Sequence, residues 1–176
     1  MKQRITATNH EYQVGDEEFI VSKTDTKGRI TYVNRVFMKV ARFNEDQLLG
    51  QQHNIIRHPD MPRGVFKFLW DTISQGDECF AFVKNLAADG SYYWVFANVT
   101  PDYDESGTII KGYFSVRRKP SLTAINTITP IYQEMLALEQ RVGAAEACSA
   151  SIALLTSKIK KLNTEYFDLV HHLQNN

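Results

Sequence analysis

The residues best suited to chemistry in this sequence crowd into the run His53-Asn54-Ile55-Ile56-Arg57-His58-Pro59-Asp60-Met61-Pro62. Arg57, His58 and Asp60 fall close together just before a predicted helix N-terminus. Arginine and a helix N-terminus both favour phosphate, so an anion can be held here without a glycine-rich loop. The same residues admit a plainer account. Asp60 as N-cap would put Pro62 in the first turn, where its missing N–H matters little. Arg57 would then be a solvated charge, and spacing alone favours that account. Cys79 and Cys148 belong to no CxxC pair, which argues against a zinc site or a disulfide framework. There is no P-loop, GxSxG or HExxH run, and no nucleophile–base pair can be assembled, so no enzyme is expected. His171 and His172 sit at a helix end, where solvation is the natural role.

The elements that must position these residues are legible from pattern. Phe19 to Thr24 is β-branched, Asp25-Thr26-Lys27-Gly28 is a turn in which Gly28 supplies positive φ, and Arg29 to Val33 alternates polar and apolar. Asn34 N-caps a helix carrying Val36, Phe37 and Val40, and Asn44-Glu45-Asp46-Gln47 fits a capping box ended by Gly50. A helix from Pro62 to Gln75 carries the stripe Phe66, Leu69, Trp70 and Ile73. Three strands follow, Glu78 to Leu86, Ser91 to Thr100 and Thr108 to Arg118, separated by Ala88-Asp89-Gly90 and Asp104-Glu105-Ser106-Gly107. Strands segregated around a helical insert predict an α+β layer, a five-stranded antiparallel sheet with helices on one face and a pocket on the helical side.

Composition bounds the partners. The 176 residues carry 20 basic and 20 acidic side chains, which removes the electrostatic reason to expect nucleic acid or an anionic membrane. The polar N-terminus lacks the apolar core of a signal peptide, and no run reaches membrane-spanning length. A cytoplasmic chain with reduced thiols is expected.

Beyond Lys119-Pro120-Ser121 an apolar stripe repeats every seven residues through Ile131, Leu138, Ala145, Ile152, Ile159, Tyr166 and Leu173. Its companions lie three before it at first (Ile128, Met135, Val142) and three after it later (Leu155, Leu162, Leu169). Such a sideways shift marks either a stutter in one long helix or coiled coil, or a helix hairpin near Gly143. A helix exposing the stripe needs a partner, and a homodimer is the simplest source. The expected division is therefore an N-terminal cap over 1–18, a sensor domain over 19–119 and a signalling helix over 120–176.

The run from Gly50 to Pro62, with Asn34 before it and Phe66, Trp70 and Val83-Lys84-Asn85 after it, closely resembles the PAS domain of bacterial aerotaxis receptors. Asp89-Gly90-Ser91-Tyr92-Tyr93-Trp94-Val95 and Gly112-Tyr113-Phe114-Ser115-Val116-Arg117 extend the resemblance, which covers about residues 19 to 118. His-Pro-Asp also marks J-domain cochaperones, but strands flank the motif here. The resemblance implies a PAS fold that binds FAD without covalent attachment and senses redox state or oxygen. It assigns FAD binding to Arg57, His58 and Asp60, pocket lining to Asn34, Phe66 and Asn85, and an aromatic helix position to Trp70. Cys79 stands where the family usually has tryptophan, so that aromatic wall is either missing or supplied by Phe80 or Phe82. The Asn85 amide carries both a donor and an acceptor and can serve the flavin edge in either protonation state. The C-terminal helix would pass the signal to a chemotaxis-type partner or a downstream receptor region. Alternatives are a haem-binding PAS using His53 or His58, and a cofactor-free PAS that only dimerises or docks a partner.

Overall fold

The computed structural model describes residues 5–176. Strands β1 (Ile20–Asp25) and β2 (Ile30–Val33) form the expected hairpin, with Gly28 at φ 75° in its turn. Three helices follow, α1 (Arg35–Ala41), α2 (Glu45–Leu48) and α3 (Arg63–Ser74). A 3-10 turn over His53–Ile56 opens the segment that leads into α3. The sheet is completed by β3 (Cys79–Leu86), β4 (Tyr92–Tyr103) and β5 (Ile110–Arg118). All pairings are antiparallel, in the order β2-β1-β5-β4-β3. This is the α+β, five-stranded arrangement anticipated from the pattern, with β4 running three residues beyond its expected end at Thr100.

Strand alternation divides the side chains between two faces. Register puts Ser22, Ser115, Val99 and Cys79 in one row, and Ile20, Arg117, Ala97 and Ala81 in the next. These, with Val83 and Asn85, face α1–α3. Phe80, Phe82, Trp94 and Phe96 belong to the opposite face.

That second face is covered by the chain itself. Residues 122–175 form α4 (Leu122–Val142), α5 (Ala147–Lys161) and α6 (Tyr166–Asn175), with Gly143 ending α4. Of the two arrangements the shifted stripe allowed, the hairpin at Gly143 is the one that forms. The segment is therefore three helices rather than one long one. Part of the stripe is buried within the chain, at Ile128, Met135, Leu155, Ile159, Leu169 and Leu173, while Leu162 stays 56% exposed. The hairpin also serves the free edge of β3. Tyr132 and Tyr166 donate their hydroxyls to the carbonyls of Phe82 and Phe80, each at 2.9 Å, so edge carbonyls that would need water are satisfied. Trp94 stacks near Tyr132, and His171 packs edge-on against Phe80.

Candidate functional site

A cavity of about 500 Å³ lies between α3 and the inner face of the sheet. That is within the size range of ordinary small-molecule sites. Phe66, Leu69, Trp70 and Ile73 wall it from α3, and Val83, Ala97, Val99 and Tyr113 from the sheet. Trp70 meets Tyr113 edge-on at 5.3 Å and also abuts Gly28, closing the end nearest the β1–β2 turn. The space is therefore an aromatic slot with polar groups at defined points.

Those polar groups are unusual in what they lack. Asn85 Nδ2, Ser115 Oγ, Thr24 Oγ1 and Arg117 Nη1 are buried without a hydrogen-bond partner in the protein, and all four residues line the cavity. Buried polar groups without partners are rare because each costs about 1–3 kcal/mol. Four around one space mark a surface shaped for a polar-edged ligand. Arg117 is the sharpest case. It is 5% exposed, and its Nη2 reaches Ser22 Oγ at 3.0 Å and His53 Nε2 at 2.6 Å. A guanidinium can only donate, so His53 Nε2 accepts. Burial pushes the Arg117 guanidinium down to about 10, which leaves it charged at neutral pH. Burial, with the Arg117 charge adding to it, holds the His53 imidazole well below the usual histidine range.

The segment before α3 forms the boundary of this cavity and of a second, wider groove. Asn54, Arg57 and Arg63 line both spaces, so the two share a wall. The groove, of about 1100 Å³, continues along His58, Pro59 and Met61 to Leu136, Glu139 and Gln140 of α4. Arg57 sits over Phe66, its Cζ 4.1 Å from the ring centre, and its backbone bridges to Asn85. Burial moves the Arg57 pKa down, against the nearby Glu139 carboxylate. His58 faces Tyr92 and accepts the Asp60 N–H at Nδ1, 3.1 Å. Burial first, then the Lys84 ammonium, lowers its pKa to about 4 against the pull of Asp60, so it is neutral at pH 7.

The expected site residues divide. Arg57, Phe66, Trp70 and Asn85 come together around the inner cavity, while His58 faces the outer groove. Asp60 lines neither. Its carboxylate pairs with Lys84 at 2.7 Å, and the N-cap of α3 is Pro62, so the account of Asp60 as N-cap is corrected. Asn34 is also away from the cavity. Its amide is spent on local structure, accepting from Val21 and Phe37 N–H and donating to Phe19 O. Cys79 sits beneath the slot with Ile73, Val99 and Tyr113, its thiol pushed up to about 12 by burial. Phe80 and Phe82 point to the opposite face, so the aromatic walls are Phe66, Trp70 and Tyr113.

Sequence reasoning missed Arg117 and Glu139, and the signal was present for both. Tyr113, Ser115 and Arg117 keep the inward phase of β5, so a charge occupies a buried strand position. Ile128, Tyr132, Met135 and Glu139 keep the buried phase of α4, which places a carboxylate among apolar neighbours.

The PAS-fold family model matches residues 18–119. Over 128 residues, 73% of this chain, the sequence is 35% identical to the aerotaxis receptor of Escherichia coli strain K12. The match takes in 25% of that receptor, and this chain spans between 13% and 25% of the lengths of four curated relatives it matches. Among solved structures, the LOV domain of the Erythrobacter litoralis EL346 blue-light activated histidine kinase superposes with a TM-score of 0.53 at 18% identity, over 57% of this chain and 94% of that one. A light-oxygen-voltage domain studied with a flavin analogue gives 0.55 at 17% identity, over 66% of this chain and 86% of that one. These two likenesses establish the fold. Among the described residues, no helix is long and apolar enough to cross a membrane.

Proposed function

The chain belongs to the PAS-fold family, and we propose that it is a redox-sensing module that holds FAD without covalent attachment and serves aerotaxis-type signalling. The observation that carries this reading is the aromatic slot with Asn85, Ser115, Thr24 and Arg117 presenting unpaired polar atoms into it. A flat ring with apolar faces and a hydrogen-bonding edge satisfies both features at once, and the isoalloxazine of a flavin is such a ring. The similarity to the aerotaxis receptor supports the same assignment. A flavin supplies reversible electron and proton uptake when bound.

The chain's own residues then have defined work. Trp70, Phe66 and Tyr113 exclude water from the ring faces. Arg117 offers a fixed positive charge and a free N–H to a carbonyl edge, where excess negative charge develops on reduction. Asn85 can donate or accept, so it suits a ring atom that gains and loses a proton. Its backbone bridge to Arg57 ties any rotation of the amide to the segment before α3. Arg57 and His58 would hold the phosphate-bearing tail along the outer groove. We assign no catalytic step to any of them. Output passes through α4–α6 to a chemotaxis-type partner or a further receptor region in the cytoplasm, and a homodimer through this segment belongs to a state in which the hairpin has opened.

A haem site has less support, because His53 Nε2 already accepts from Arg117 and His58 does not face the inner cavity. The test is the visible spectrum of the purified chain with identification of whatever denaturation releases. A two-banded yellow spectrum and released FAD are expected. An intense Soret band, or a colourless protein that FAD cannot reconstitute, would overturn the reading.

A further inference from the structure

The N-terminus of α3 is occupied by the protein's own carboxylate. Glu139 of α4 accepts from Arg63 N–H through Oε2 and from Gly64 N–H through Oε1, both at 2.8 Å. These are the first helical amides of α3, which otherwise have no capping side chain. The contact spans 75 and 76 residues of sequence and is 95% shielded, since Glu139 is 5% exposed. A burial that deep for a carboxylate requires charged or amide partners, and it has them in the two N–H groups and the positive end of the helix.

This cap lies on the groove where the tail of a dinucleotide would run. Among the described residues lining that groove, Glu139 is the one acid, and Arg57 and Arg63 are the permanent cations. The two helix-start amides now used by Glu139 are flanked by two arginines. His58 Nε2, buried at 3% exposure without a hydrogen-bond partner, lines the same groove, so the donors of a phosphate site are assembled there. A diphosphate and a carboxylate cannot both use the same pair of N–H groups, and side by side they repel. The hairpin reinforces the carboxylate. α5 packs so closely on α3 that a Cβ at Gly64 would lie 2.6 Å from Ser151 Oγ, and Cys148 of α5 reaches the wall of the inner cavity.

We propose that Glu139 is a built-in competitor for the diphosphate of the cofactor, so that filling the groove with a phosphate-bearing tail displaces Glu139 from α3 and loosens the α4–α5 hairpin. The inference rests on the flavin reading above and adds to it the device that links occupancy to output. A flavin without phosphates fills only the inner slot and leaves the latch closed. The two forms of the same ring therefore produce different hairpins.

The test compares FAD with riboflavin on the full chain, stripped of flavin and reloaded. Amide hydrogen exchange is followed by mass spectrometry over residues 122–161 and over residues 63–74. FAD is expected to speed exchange in the second half of α4 and the start of α5 by about tenfold relative to riboflavin, within the range for coupled sites. Glu139→Gln, which keeps the shape and removes the charge, is expected to raise FAD affinity about tenfold while leaving riboflavin affinity unchanged. Equal hairpin protection in the FAD and riboflavin complexes of the wild-type chain would overturn the latch while leaving the flavin site intact, and that comparison does not depend on the variant folding. Binding of neither flavin is a distinct result that removes both the cofactor reading and the latch.

Discussion

Replacing Arg117 with methionine separates a ligand-binding arginine from a structural one. Met has nearly the reach of the arginine stem and carries no charge. Among the described residues the buried guanidinium has no carboxylate partner, its Nη1 is unpaired, its Nη2 donates to Ser22 and His53, and its Cζ lies 5.5 Å from the centre of the Phe37 ring. Removing a buried ionic group in favour of an apolar one of similar volume is often neutral or stabilising by about 1–4 kcal/mol. Loss of the two Nη2 hydrogen bonds offsets that by about 1–3 kcal/mol, since Ser22 Oγ, 3.3 Å from His53 Nε2, can still donate to it. The two effects nearly cancel, so the melting temperature of the flavin-free variant should stay within a few degrees of wild type, at about 2–4 °C per kcal/mol for a chain of this size. Flavin binding has no such cancellation. A hydrogen bond from a charged donor contributes about 1.5–3 kcal/mol, so FAD affinity should fall by about 10- to 150-fold. Fluorescence titration of the stripped protein measures the affinity and calorimetry the melting point. A flavin-free variant that melts many degrees low, yet binds FAD within threefold of wild type, would refute the assignment of Arg117 to the ligand.

Asn85→Leu removes a buried amide whose Nδ2 has no partner, so flavin-free stability should hold or rise while FAD affinity falls about tenfold by the same titration. Asn85→Asp should bind FAD with a lowered reduction potential, because a negative charge opposes reduction of the ring, and an unchanged potential in spectroelectrochemistry would remove Asn85 from the ring edge. Acid should destabilise the fold through His58. Its pKa is near 6.5 unfolded and about 4 folded, so between those values the unfolded chain binds the extra proton and stability falls as pH falls. Urea unfolding at pH 7 and pH 5 should differ by roughly 2 kcal/mol from this residue, with His53 adding in the same direction, and His58→Gln should flatten the slope. Gly64→Ala forces α5 away from α3 and should cost about 1–3 kcal/mol by overpacking, with faster hydrogen exchange in α5 as its specific mark.

What could be read from the sequence follows from how local each signal is. The β1–β2 hairpin, the α3 stripe and the three-stranded meander declared themselves because a turn residue or a period fixes each within a dozen residues. The capping box at Asn44 is of the same kind, and Asn44 N–H does donate to Gln47 Oε1 at 2.9 Å. The pattern placed a pocket on the helical side but could not give its full lining, since Ser22, Gln52, Phe66, Asn85, Val99 and Arg117 meet from different elements. A heptad stripe is silent on whether its partner is another copy or another part of the same chain. Only the sideways shift at Gly143 pointed to the hairpin, and it did not settle the matter. Asn34 carried two readings, helix N-cap and pocket lining, and only the first is a local signal: its side chain caps α1.

The groups that connect the cavity to the surface all attach to one short segment, and that fact favours a switch over a static scaffold. His53 is held by Arg117, Arg57 by the Asn85 backbone, Asp60 by Lys84 Nζ and Met61 Sδ by Lys84 N–H. Three of these four ties lead to β3 or its side chains, and the segment ends at the amides that Glu139 caps. β3 is also the edge strand whose carbonyls Tyr132 and Tyr166 serve from α4 and α6. A shift of Asn85 by a hydrogen-bond length therefore meets the C-terminal helices by two routes, through the strand edge and through the start of α3. Hydrogen bonds lost at the edge would leave buried carbonyls unpaired, and loss of the contact between Glu139 and the α3 amides would strand a buried carboxylate. Both penalties resist partial opening, so the hairpin is expected to be either seated or released, with few states between.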